Sequence, residues 1–180
     1  KTWFERTDIA GGWPGSPEPL DNVVFNDVVA WTTCAAFKIG MGVFQPQSNV
    51  TFRNGYVYNA SRALAIDHRH GFSSVTNVWF EDIDIERVDH PHDGPYWLQL
   101  QVYEGGNDFG PIENVTVSRI NVRDAGDRPS RLLGDRRTPI RNVTFTDILM
   151  PGKSEFATSL IELLIISPRD FENVQFVNSR

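Results

Sequence analysis

The sequence predicts an all-β protein: a right-handed parallel β-helix of about six coils, with a period near 28 residues, occupying positions 1–180 as one domain. Two observations carry that expectation. The dipeptide Asn-Val recurs at Asn22, Asn49, Asn77, Asn114, Asn142 and Asn173, at intervals of 27, 28, 37, 28 and 31 residues. Around each copy the apolar residues sit at the same offsets. Position +1 is always Val, and position +3 reads Phe25, Phe52, Phe80, Val117, Phe145 and Phe176.

Taken in order, each coil opens with the Asn, which suits a turn requiring left-handed backbone geometry or a side-chain ladder. The +1 and +3 residues then alternate as one short strand, with the +3 column forming an internal aromatic stack. After a polar break, a second alternating pair stands at +6 and +8: Val28 and Ala30, Ile83 and Ile85, Ile120 and Val122, Ile148 and Met150. The second coil is weaker there, with Gly55 and Val57. A third strand lies at +15 and +17: Phe37 and Ile39, then Leu64 and Ile66, and, displaced by an insertion, Leu98 and Leu100. "SRLLGD" and "SLIELLIIS" are its expected successors, with no register assigned. Coils stack about 4.8 Å apart, so equal positions form columns. With Leu and Ile inward, the outward columns read Ala36, Ala63, Trp97; then Lys38, Ala65, Gln99; then Gly40, Asp67, Gln101. An indole and two amides on one face suit a sugar, whose C–H groups pack on aromatics and whose hydroxyls pair with amides.

Composition narrows the function classes. A 40% hydrophobic and 22% charged chain reads as globular, and its net charge of −6 argues against nucleic acid, whose phosphates need a basic surface. No apolar run is long enough to span a bilayer; "LIELLII" is interrupted by Glu162. Cys34 is alone, which excludes an internal disulfide and a cysteine zinc site. Sequons occur at Asn49, Asn59, Asn114 and Asn142, but only Asn59 stands outside the repeat position.

The Asn-Val-x-Phe coil, the run "NVVFNDVVAWTTCAAFKIGMG", and "NVTFRNGYVYNASRALAIDHRHG" with "NVWFEDIDIE" after it together resemble the pectin lyase-like β-helical glycoside hydrolases. These include polygalacturonases (family 28) and dextranase and isopullulanase (family 49). The resemblance implies a secreted hydrolase of an extracellular polysaccharide, using carboxylates and water and no cofactor. The relatives carry an Asp-Asp pair that this chain lacks, and "KTWFER" resembles the segment just C-terminal to that pair. The expectation is therefore a C-terminal portion of a longer β-helix, completed by an N-terminal polypeptide carrying further carboxylates. Polygalacturonases also carry Gly-His-Gly and Arg-x-Lys; here "TCAAFKIG" replaces the first, and Ala65 and Asp67 stand in the second. An Asp where the family places Lys repels a uronate, which favours a neutral α-glucan, dextran- or pullulan-like, over galacturonan.

Asp67 is thus the candidate catalytic carboxylate, against a salt bridge to Lys38 or Arg69. Lys38, His68, His70, Trp97, Gln99, Gln101 and Tyr103 are the candidate substrate contacts lining an open groove. His68 and His70 have His-x-His spacing, and His90, His92 and Asp93 could join them around zinc, but the resembling families act without a metal and none is expected. Glu104 offers a further acid on a Gly-rich loop, and "GDRPSRLLGDRR" a charged turn or groove wall. A non-catalytic carbohydrate-binding β-helix and a polysaccharide lyase are the alternatives. Partners are a polysaccharide and the completing polypeptide, with neither nucleic acid nor membrane.

Overall fold

The computed structural model describes residues 18–89, 94–102 and 110–179. They form ten strands and no helix: β1 (Leu20–Trp31), β2 (Ala35–Gly42), β3 (Gln47–Asn59), β4 (Arg62–His70), β5 (Val75–Ile85), β6 (Tyr96–Val102), β7 (Ile112–Val122), β8 (Arg131–Leu133), β9 (Ile140–Leu149) and β10 (Phe171–Phe176). A six-stranded sheet runs β1-β3-β5-β7-β9-β10 and a four-stranded sheet runs β2-β4-β6-β8. All of these strand pairings are parallel. The result is a parallel β-solenoid of about five turns rather than six. The shortfall lies in the four-stranded sheet. "SRLLGD" supplies β8, but "SLIELLIIS" makes turns, with Leu163 N–H bonded to Ser159 O, instead of a fifth strand.

The repeat works because each long strand is bent by residues of positive φ. All six repeat Asn residues lie in the left-handed region, with φ between 53° and 58°. Five residues further on stands a second such column, Asp27, Asn54, Asp82, Arg119 and Asp147, with φ between 50° and 56°. Backbone pairing skips these positions: Asp21 pairs with Ser48 and Val23 with Val50, but Asn22 and Asn49 do not pair. A left-handed residue resets the strand's phase, which is why the inward offsets step +1, +3, then +6, +8 instead of alternating throughout.

The Asn columns also bind the coils to one another. Asn77 Nδ2 donates to Asn49 Oδ1 at 3.1 Å, Asn114 to Asn77 at 3.0 Å, Asn142 to Asn114 at 2.9 Å and Asn173 to Asn142 at 2.8 Å. At the first coil Asn49 donates instead to Asp21 Oδ1 at 2.7 Å. At the last, Gln175 Nε2 donates to Asn173 Oδ1 at 3.0 Å. The ladder therefore uses the amides of three of the four sequons and leaves Asn59 outside it.

Inward, the +3 column forms the expected stack. Phe25 and Phe52 ring centroids are 4.8 Å apart, Phe52 and Phe80 5.2 Å, and Phe145 and Phe176 5.4 Å. Val117 pairs in register with both Phe80 and Phe145 and interrupts the rings. Around this stack the two sheets share one apolar core, with Phe52, Phe80 and Phe145 fully buried.

Asn77 tests both roles of the repeat residue. Asn77→Gly keeps the left-handed backbone but loses both ladder bonds. Asn77→Ala loses those bonds and adds a left-handed penalty of roughly 1–2 kcal/mol. Denaturant titration should rank the stabilities as wild type, then Gly, then Ala; an Ala variant as stable as the Gly variant would remove the conformational role.

Candidate functional site

The outward columns of the four-stranded sheet gather the polar residues. Two of the three expected columns form in register: Lys38, Ala65 and Gln99 are successive partners, as are Gly40, Asp67 and Gln101. The register of β8 extends them, placing Arg131 beside Gln99 and Leu133 beside Gln101.

Asp67 is the centre of this face and is completely buried. Lys38 Nζ lies 3.0 Å from Asp67 Oδ2, Arg69 Nε 2.9 Å from Oδ1, and Arg62 Nη1 3.8 Å from Oδ2. Both of the salt bridges that compete with a catalytic role are formed, and a third cation stands nearby. Arg69 reaches back because β4 carries a bulge: Met41 pairs with His68 and Gly42 with His70, leaving Arg69 as the extra residue. Gly40 permits the close approach of β2 to Asp67. Its φ is +97°, and a Cβ there would stand 2.1 Å from the Asp67 carbonyl oxygen. Burial by itself would raise the Asp67 pKa. The charges of Lys38 and Arg69 and their hydrogen bonds overcome it, so the carboxyl is held below its ordinary value of 3.8. Burial lowers the Lys38 pKa against the pull of Asp67, and Arg62 and Arg69 push it the same way as burial does.

Around this ion cluster lie amides and an aromatic ring. Gln99 Nε2 donates to Gln101 Oε1 at 3.0 Å, and Arg131 Nη1 donates to the same oxygen at 3.1 Å. Gln99 Oε1 is buried with no hydrogen-bond partner. The Tyr96 ring lies under two guanidinium groups, with Arg131 Cζ 4.8 Å and Arg62 Cζ 5.8 Å from its centroid.

Several expected contacts are placed differently. The face is not an open groove floor: Asp67 and Gln99 have no exposed surface, and Lys38 and Gln101 are only 5% and 7% exposed. Arg69 and Arg131 are the cluster members that keep contact with solvent. Trp97 does not stand in an outward column. It belongs to the apolar core with no exposed surface, and its indole N–H donates to Leu163 O at 3.0 Å. The alternation fails at the start of the strands, where Ala63 and Leu64, like Trp97 and Leu98, both join the core and Tyr96 turns to the ion cluster instead. His68 is likewise buried, on the opposite side of β4 from Asp67. Its Nε2 lies 2.8 Å from Ser73 O and 3.2 Å from Gly110 N, so it fastens the corners before β5 and β7 instead of lining a groove. His70 is exposed at the end of β4. Tyr103, Glu104, His90, His92 and Asp93 lie outside the described residues. Among the described residues no three His, Cys, Asp or Glu side chains converge as a metal site.

Sequence reasoning misses Arg62, Tyr96 and Arg131. Arg131 is within its reach, because aligning Leu132 with Leu100 sets its column; Arg62 and Tyr96 depend on the broken alternation. No family model, no curated protein and no solved structure matches the chain.

Asp67→Asn leaves three cations around a neutral amide, and should lower unfolding stability by about 3–5 kcal/mol, as breaking one side of a buried ion pair does. Adding Lys38→Met to Asp67→Asn should restore part of the loss in a double-mutant cycle; purely additive losses would show that the pair is not coupled. Burial lowers the His68 pKa below the ordinary 6.5, partly opposed by the Ser73 hydrogen bond. As pH falls the unfolded chain therefore takes up the proton first. The stability contribution is complete above about pH 6.5 and declines below it, by at most about 1.4 kcal/mol per pH unit. Urea midpoints measured from pH 7.5 to 5.5 should fall in wild type and flatten in His68→Gln.

Proposed function

We propose that the outward face of β2, β4, β6 and β8 is a saccharide-binding surface, and that the chain is part of a glycoside hydrolase acting on an extracellular polysaccharide. The observation that carries the reading is the buried cluster of Lys38, Arg62, Arg69 and Asp67 in register with Gln99, Gln101 and Arg131. A solenoid does not need such a cluster to fold. Apolar residues of similar volume are often as stabilising as a buried ion pair, or more so, and cost no desolvation. The resemblance of the Asn-Val-x-Phe coils and of "RALAIDHRHG" to β-helical glycoside hydrolases supports the same assignment.

Asp67 suits some roles and not others. A general acid must hold a proton at working pH, and a carboxyl kept ionised by Lys38 and Arg69 does not. It suits an anion that fixes the orientation of those donors, or a carboxylate acting in its charged form. Hydrolysis then requires a protonated carboxyl about 5–5.5 Å or 6.5–9.5 Å from its partner, for retention or inversion respectively. In this reading that group comes from outside the described residues. The electrostatic ground for a neutral α-glucan is also weakened, because the negative charge of Asp67 is matched by Lys38 at 3.0 Å and Arg69 at 2.9 Å. Acidic sugars stand on equal terms with dextran and pullulan.

The complete pairing of Asp67 with cations favours one alternative, a carbohydrate-binding β-solenoid without catalysis. Incubation of the chain with dextran, pullulan and polygalacturonate, with reducing ends and retention on the immobilised polymers both measured, separates the readings. Released reducing ends that Asp67→Asn abolishes support the hydrolase. Retention with no release, weakened in Gln101→Ala, supports the binding module. Neither release nor retention on any polymer would sink both.

A further inference from the structure

Beside β8 the surface opens into a cleft of about 330 Å³, at the small end of ligand pockets. Arg128, Ser130, Arg131 and Ser167 line it together with Leu133 and Ile166, and among the described residues no carboxylate does. We infer that this cleft is an oxyanion site, built for the carboxylate or sulfate substituent of a sugar ring. The inference rests on the saccharide reading of the adjoining face.

The two guanidinium groups are held differently: among the described residues no carboxylate pairs with Arg131, and Arg128 has Asp127 at the 4.0 Å limit of an ion pair. Arg131 is fixed by one hydrogen bond to Gln101 Oε1 and by the Tyr96 ring, which leaves most of its five N–H donors unused. Arg128 is anchored through its backbone, whose N–H donates to Pro95 O at 3.1 Å. Its stem lies over Gly94, where a Cβ would come within 2.5 Å of Arg128 Cγ. Its Nε is 4.0 Å from Asp127 Oδ1, and both side chains are largely exposed, so solvent screens that pair.

Ser130 is the independent sign of a ligand. The residue is only 4% exposed, its N–H is bonded to Leu164 O at 3.0 Å, and its hydroxyl has no partner. A buried hydroxyl without a partner is unfavourable, and since its oxygen has almost no exposed surface it must turn toward the cleft to donate to an oxyanion entering beside the two arginines. Leu133 and the exposed Ile166 supply an apolar wall against which the C–H face of a ring can lie. Arg131 is common to the cleft and to the polar columns, so the cleft adjoins the edge of the buried polar face where Arg131 keeps contact with solvent.

The test is calorimetric titration of the full chain with four probes. These are a uronate-containing oligosaccharide, a sulfated one of equal length, their neutral counterpart, and inorganic sulfate. At least one acidic oligosaccharide should bind roughly tenfold or more tighter than the neutral one, the worth of a charge-assisted hydrogen bond. The stronger of the two identifies the substituent. Arg128→Gln and Ser130→Ala should each reduce that preference severalfold. Ser130→Ala should do so without lowering thermal stability, since its hydroxyl has no partner to lose. Equal binding of acidic and neutral oligosaccharides would overturn the oxyanion site and leave the saccharide reading standing. Inorganic sulfate binding that the two variants abolish, with no oligosaccharide bound, would keep the oxyanion site and overturn the saccharide reading. Acidic preference unchanged in both variants would place recognition elsewhere and overturn the assignment.

Discussion

A parallel solenoid depends on every coil bending at the same places, because one coil out of phase turns its apolar residues toward solvent and exposes the coils on either side. In this chain the constraint falls on two columns of left-handed residues. A left-handed bend is available cheaply to Gly, but a Gly column would give the coils nothing to hold each other by. Asn tolerates the bend and carries both a donor and an acceptor, so one residue type supplies the corner and the contact between coils. The aromatic stack is the second consequence: with the corners fixed, the +3 side chains fall one above another at 4.8–5.4 Å wherever two rings are neighbours.

The same constraint positions the polar face. Once the coils are in phase, residues distant in sequence meet without further design: Lys38 comes to Asp67, and Arg131 to Gln101. What the sheet then adds is local irregularity. The bulge at Arg69 and the glycine at position 40 turn a regular outward column into a carboxylate held from two sides. A regular strand would have spread these charges along the surface, where each would contribute little. Gathered and desolvated, they become a rigid set of donors.

The fold is legible in the sequence because its signal is repetitive. A recurring Asn-Val and an apolar +3 column state the period directly, and simple alternation yields two of the outward columns. The misplacement of Trp97 arises where alternation stops. Counting in twos puts Trp97 in a groove, whereas with Asp67 outward the same count already turns His68 inward. The start of β4 and β6 puts two successive residues into the core, and that corner leaves no trace in residue types. Burial of the face is equally illegible, since a column of Lys, Asp and Gln reads as solvated. Its closing depends on long Arg side chains folding back, and their direction is a property of tertiary packing. "SLIELLIIS" shows the opposite failure: an apolar run with good strand character makes turns because its Leu163 and Ile165 fill the core from a turn instead.

The Asn ladder has a sense of direction, and a single charge sets it. An amide can face either way, so a column of five could adopt either polarity or a mixture. Asp21 as a carboxylate can only accept, which obliges Asn49 to donate to it at 2.7 Å. Asn49 then presents its oxygen to Asn77, and the choice passes from coil to coil up to Asn173, whose oxygen is met by Gln175. The side-chain dipoles align along the solenoid with their positive end on Asp21, whose pKa is lowered by its hydrogen bonds from Ser48 and Asn49. The arrangement is the side-chain counterpart of an acidic residue at a helix N-terminus. It makes the column one cooperative unit: reversing any one amide would leave two oxygens facing each other on one side and two NH2 groups on the other.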